Sequence, residues 1–146
     1  MKLELGVEDV AYSDPDASGA TTTGEVAEIL EAKYHVMRVF AELHGQDMAD
    51  AITKDLANSM DALLNGEKIS KVPLQSAMNQ IESDFRDYLS ADEWQKTTGQ
   101  AIAAAQNGVS HRFKNKNNVP SKGKVRGARP AFIDTGLYQR SFRAKV

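Results

Sequence analysis

The sequence predicts an α+β protein, a helix-rich body with a short N-terminal strand and a C-terminal strand that follows a basic extended arm. Three observations predict it. Met1, Leu3, Leu5 and Val7 alternate with polar residues at the start of the chain, the period of a half-buried strand. Apolar residues then recur at largely helical spacing from Val26 to Val109. Phe142-Arg143-Ala144-Lys145-Val146 alternates again at the end. With 146 residues the chain is one domain long, and such a chain can remove roughly two thirds of its unfolded surface from water.

The first strand leads into a loop, Tyr12 to Thr23, rich in Asp, Ser, Gly and Thr. Thr22-x-x-Glu25 then forms a capping box, in which each side chain satisfies a free backbone N–H of the other residue. Val26, Leu30, Met37, Phe40, Met48, Ile52, Leu56, Met60 and Leu63 follow at helical spacing. Gly45 is the weak point, so this stretch is read as one long helix or as two joined near His44-Gly45-Gln46. Asn65-Gly66 ends it, because both residues tolerate positive φ. Pro73 marks the start of a second helix, where its missing N–H costs nothing. Leu74, Met78, Ile81, Phe85 and Tyr88 form that helix's apolar stripe. Ser90-x-x-Glu93 reads as a second capping box opening a third helix through Trp94, Ala101, Ile102, Ala105 and Val109. Lys114 to Arg129 has almost no apolar content and is expected to be a mobile arm. The boundaries are 1–113 for strand and helical body, 114–129 for the arm, and 130–146 for a Thr-Gly turn and terminal strand, all within a single domain. Two strands alone are marginal in water. Completion of the sheet by other subunits is therefore favoured over packing on the helices, and the helical body is expected to form without the segment after Arg129.

Charge divides the chain. Residues 1–110 carry 8 Lys and Arg against 19 Asp and Glu, whereas residues 111–146 carry 10 against the single acid Asp134. The tail is thus matched to an acidic partner: nucleic acid, the body of this chain, or an identical neighbour. The absence of cysteine excludes disulfides, thiolate metal sites and a cysteine nucleophile. Met1-Lys2-Leu3-Glu4-Leu5 lacks the apolar region of a signal peptide, and no apolar run approaches the length of a membrane span.

Motifs that carry chemistry are few. There is no Gly-rich phosphate loop, nucleophile elbow or zinc-protease motif. His35, His44 and His111 are each candidates for a general base beside an acid, but their spacing sets no pair on one helical face. Asp14-Pro15-Asp16-Ala17-Ser18-Gly19 with Glu25 reproduces the ligand spacing of an EF-hand calcium loop. Against calcium stand Thr21 at the usual aliphatic position, the lack of an entering helix and the lack of a second loop. An Asx-rich turn leading into a capped helix, with Glu25 as the capping acid, is the preferred reading. Neither an enzyme nor a cofactor is expected. Lys114, Lys116, Lys122, Lys124 and Arg126 suit contact with phosphate, of packaged DNA for example, or docking on an acidic neighbour.

The last twenty residues carry a resemblance. Arg129-Pro130-Ala131-Phe132-Ile133-Asp134-Thr135-Gly136-Leu137, with Ser141 a few residues on, resembles the tailed-bacteriophage virion morphogenesis proteins: neck, head–tail joining and tail-completion proteins. The resemblance rests on Pro130, Phe132, Asp134, Thr135, Gly136, Leu137 and Ser141. It implies a non-enzymatic subunit of a ring around the DNA channel, with identical subunits and neighbouring connector or tail proteins as partners. The implied location is the virion neck or tail, after assembly in the bacterial cytoplasm. The segment expected to serve as the assembly interface is Arg129, Pro130, Phe132, Asp134, Thr135, Gly136, Leu137, Ser141 and Phe142. The rival reading is a DNA-associated accessory protein that grips phosphate through the basic arm, and a third is a small calcium-binding regulator.

Overall fold

In the computed structural model, residues 2–12, 22–68, 74–100, 130–133 and 136–146 are described. The order of elements is β1 (Glu4–Val7), α1 (Thr23–Tyr34), α2 (Val36–Leu64), α3 (Gln75–Ser90), α4 (Glu93–Thr98), α5 (Leu137–Ser141) and β2 (Phe142–Lys145). This is the expected helix-rich α+β arrangement, with a strand at each end. The two strands pair antiparallel, Glu4 opposite Lys145 and Val7 opposite Phe142. Among the described residues, no helix is long and apolar enough to cross a membrane.

Helix α1 begins as its sequence dictates. Thr22 accepts the Glu25 N–H, and the Glu25 carboxylate accepts the Thr22 N–H. Thr23, fully buried, donates its hydroxyl to the Glu8 carbonyl and accepts from the Val10 N–H. The Gly24 N–H donates to the Asp9 carboxylate at 3.0 Å, and a Cβ on Gly24 would meet that oxygen at 2.8 Å. The turn from β1 into α1 thus depends on residues that stand together only in the folded chain.

The break between helices falls at His35 and not at Gly45. Gly45 lies inside α2, and the helix runs through it without interruption. His35 adopts the left-handed conformation (φ 53°) and serves both as the end of α1 and as the cap residue of α2, without a capping side chain. Other residues satisfy the backbone there. The Glu31 carboxylate accepts the N–H groups of Met37 and Arg38. Trp94 Nε1 donates to the Tyr34 carbonyl at 3.0 Å, and the Tyr88 hydroxyl donates to the Val36 carbonyl at 3.2 Å. A helix break needs partners for its orphan groups, and here side chains from α1, α3 and α4 supply them.

Helices α2 and α3 form an antiparallel hairpin. The Asp55 carboxylate accepts the Ala77 N–H in the first turn of α3, whose own cap residue, Leu74, has no polar side chain. At the other end Tyr88 meets Val36. The predicted stripe of α3 is buried throughout: Leu74, Met78, Ile81, Phe85 and Tyr88. Helix α2 has 29 residues, roughly 43 Å, against 16 in α3, roughly 24 Å. Its last turns therefore project past Asp55 and leave Leu56, Met60, Leu63 and Leu64 at 42%, 56%, 57% and 83% exposure. Asn65 and Gly66 (φ +73°) end the helix as expected.

Two further expectations are corrected. Ser90 is the last residue of α3 and does not cap α4. Asp92, left-handed at φ 56°, precedes α4, and Gly99 (φ +68°) ends it, so no single helix runs from Trp94 to Val109. Ala101, Ile102, Ala105 and Val109 lie outside the described residues, as do Pro73, His111 and the expected mobile arm from Lys114 to Arg129. The sheet, moreover, packs hard against the helices. Phe142 and Ala144 are buried, and Phe142 stacks on Phe85 with ring centroids 3.8 Å apart. Leu3, Leu5 and Val7 pack around the same cluster. The segment after Arg129 is thus part of the core and not an addition to a finished helical body.

His35 offers a direct check on the helix break. A β-branched residue at positive φ costs about 1–2 kcal/mol, which glycine avoids. By urea denaturation, His35→Gly should retain the wild-type value or exceed it, while His35→Val, with a branched Cβ added at the same φ, should fall below it.

Candidate functional site

The C-terminal segment is held by four helices. Pro130 is half-buried and begins a turn closed by the Ile133 N–H on the Pro130 carbonyl at 3.4 Å. Ala131 is 1% exposed, and its N–H donates to the Asp92 carboxylate at 3.1 Å. Asp92, left-handed at the start of α4, makes no capping bond there and gives its carboxylate to Ala131 instead. Phe132 sits at φ 65°, a conformation costly for a bulky residue. Its ring lies against Trp94 and Tyr34, centroids 4.8 and 5.4 Å away, and this packing holds the strained turn.

Gly136 (φ +74°) then sets the chain into α5 without any capping side chain. A Cβ there would meet nothing within 4 Å, so its constraint is purely conformational. On α5, Tyr138 packs edge-on against Phe85. Gln139 Nε2 donates to the Arg86 carbonyl and the Ser90 hydroxyl at 2.6 and 2.7 Å. Ser141, buried, donates to the Leu137 carbonyl.

Of the residues expected at an assembly interface, Ser141 and Phe142 are therefore interior. A residue that fills its own chain's core is not offered to a neighbour, which corrects their assignment. Phe132, Pro130, Gly136 and Leu137 are half-buried, and among the described residues of the segment the exposed side chains are Arg140, Lys145 and Val146. Arg129, Asp134 and Thr135 lie outside the described residues, as do Lys114, Lys116, Lys122, Lys124 and Arg126.

On β2, Arg143 is paired with acids of two other segments. Arg143 reaches Glu8 at 2.8 Å and Glu82 at 3.8 Å, and Glu82 also holds Arg86 at 3.3 Å and accepts the Ala144 N–H at 3.4 Å. Burial, reinforced by the negative charges of Glu93 and Glu31, pushes the Tyr88 phenol above its ordinary range. Burial does the same at Tyr138, with Glu31 adding to it. On exposed Asp9, hydrogen bonds from Thr22 and Gly24 hold the carboxyl below its ordinary range.

The remaining candidates are placed as follows. His44 Nε2 meets the Glu93 carboxylate at 2.9 Å and its ring stacks on Phe40, so this histidine ties α2 to α4. His35 is exposed at the helix break. Asp14, Asp16 and Ser18 lie outside the described residues, and Glu25 is engaged in the capping box. Among the described residues, no group of three or more His, Asp or Glu side chains is placed to hold a metal. Sequence reasoning missed Asp92, Gln139 and the Gly24–Asp9 contact, whose partners lie 39, 53 and 15 residues away. No family model, curated protein or solved structure matches the chain.

Gly136→Val should cost about 1–2 kcal/mol through its φ alone, read as a lower urea midpoint with unchanged helical content. The tyrosines give a pH dependence. Because folding raises the phenol pKa of Tyr88 and Tyr138, the stabilisation is fully present below about pH 10, the unfolded value, and declines as pH rises beyond it. Spectroscopic titration should find that these two of the four tyrosines form phenolate only as the chain unfolds.

Proposed function

We propose that this chain is a structural virion protein of a tailed phage or prophage, forming a homo-oligomeric ring at the head–tail junction or tail end. In that place it serves head–tail joining and DNA passage. The observation that carries the reading is the uncovered apolar stripe at the projecting end of α2. Leu56, Met60, Leu63 and Leu64 fall at the i, i+4, i+7, i+8 spacing of one helical face and remain exposed. Contiguous exposed apolar surface of this kind marks contact with another protein. The resemblance of Pro130 to Ser141 to phage morphogenesis proteins supports the same class. So does the charge split, since a ring brings the acidic body of one copy beside the basic segment of the next.

The test is made on particles. Tailed particles induced from cells that encode the chain should contain it in several copies each, by quantitative mass spectrometry. Met60→Lys with Leu63→Lys, both at exposed positions, should leave the circular dichroism spectrum unchanged and reduce incorporation at least about tenfold. Absence of the chain from such particles would contradict the proposal. A monomer that binds DNA with steep salt dependence would favour instead the accessory-protein reading, through Lys114, Lys116, Lys122, Lys124 and Arg126.

A further inference from the structure

The two-stranded sheet has two edges, and they differ. On the outer side of β2, the Ala144 N–H donates to the Glu82 carboxylate of α3 and the Phe142 carbonyl accepts from the Arg143 guanidinium, so both outward-facing residues of that edge are engaged. On β1 the parity is set by Glu8, whose N–H donates to the Ser141 carbonyl at 2.7 Å and extends the ladder. Even-numbered residues of β1 thus address β2. The N–H and C=O groups of Leu3, Leu5 and Val7 point the other way, and among the described residues no hydrogen bond closes them. An open edge of this kind is a template for another strand.

We propose that β1 is the pairing surface for a second copy of this chain, joined antiparallel across a two-fold axis at Leu5 to make a four-stranded sheet, β2-β1-β1-β2. The sequence of the strand fits its own inverse. In this register Leu5 faces Leu5 of the partner copy, Leu3 faces Val7, and Lys2 faces Glu8 at both ends. Glu4 falls opposite Gly6, which has no side chain to oppose it. The facing residues Leu3, Leu5 and Val7 are those whose backbone groups point outward, so each such pair exchanges both hydrogen bonds. Their side chains also share the core side of the sheet, where they are half-buried.

The neighbouring registers fail on charge. Centring on Glu4 sets Glu4 against itself, and centring on Gly6 sets Glu4 against Glu8, and like charges directly opposite are destabilising. Glu8 also binds Arg143, but its second carboxylate oxygen remains for the partner's lysine. With the β2 edge engaged by Glu82 and Arg143, β1 is the edge the described strands leave for pairing. The pairing does not rest on the virion reading, because two-fold partners are not neighbours in a ring with a polar axis. It belongs to the chain outside such a ring.

Strands of four residues bury less than the roughly 1,200 Å² of a stable interface, so the dimer should be concentration-dependent. Sedimentation velocity of the full chain across the micromolar range should show exchange between the 16.0 kDa chain and a species of twice its mass. Lys2→Glu, at an exposed position, should weaken association at least about tenfold, and adding Glu8→Lys should restore it. In a chain without cysteine, Glu4→Cys with Gly6→Cys should form disulfide-linked dimers on mild oxidation, since a Cβ at Gly6 meets nothing within 4 Å. A chain that stays monomeric throughout, an association that ignores Lys2→Glu, a double variant no tighter than the single one, or a folded cysteine variant that does not crosslink would each overturn the proposal.

Discussion

The stack of Phe142 on Phe85, 3.8 Å between centroids, is the contact on which the rest of the structure depends. Phe142 is the first residue of β2, so its position fixes the register with β1 and therefore where Leu5 and Val7 enter the core. Phe85 stands at the centre of α3 and also meets Phe40 of α2, Tyr88 and Tyr138. Aromatic pairs add about 0.5–1.5 kcal/mol each beyond their buried area. The greater effect is topological, because this cluster joins both ends of the chain to the helical hairpin between them.

The second constraint is the break at His35. A non-glycine residue at positive φ persists only where its surroundings hold it. The holders are Glu31 on one side and Tyr88 and Trp94 on the other. Trp94 in turn packs against Phe132, so the turn at Pro130 and the helix break brace one another. Asp55 and Asp92 act in a similar way, each giving its carboxylate to the backbone of another segment. Helix ends in this protein are completed largely from a distance, which ties their stability to tertiary packing.

Local signals were legible in the sequence and distant ones were not. The Thr22–Glu25 box, the stop at Asn65-Gly66, the stripe of α3 and the alternation of both strands depend on neighbours in the chain, and each is found where its pattern points. Of the two readings of this stretch, an unbroken helix through Gly45 is the one found, because an interior glycine costs only about 1 kcal/mol, less than α2 recovers by packing on α3. Nothing near His35 in sequence marks it, since Tyr88 and Trp94 lie more than fifty residues away. Ser90 has the right spacing for a cap, yet its hydroxyl is taken by Gln139. In the candidate site, the need for Gly136 was legible, as a turn residue that proves to sit at positive φ. The inward direction of Phe142 was not, because alternation gives a face but not what covers it.

Together these contacts make the C-terminal segment a structural member of the domain, and any surface it offers an assembly is one the core has already positioned. Deletion of residues 130–146, followed by urea denaturation monitored by circular dichroism, tests this most directly. The shortened chain should lose its cooperative transition, because Phe85, Trp94 and β1 lose their cover together. A shortened chain that keeps its helical signal and unfolds cooperatively near the wild-type midpoint would contradict it.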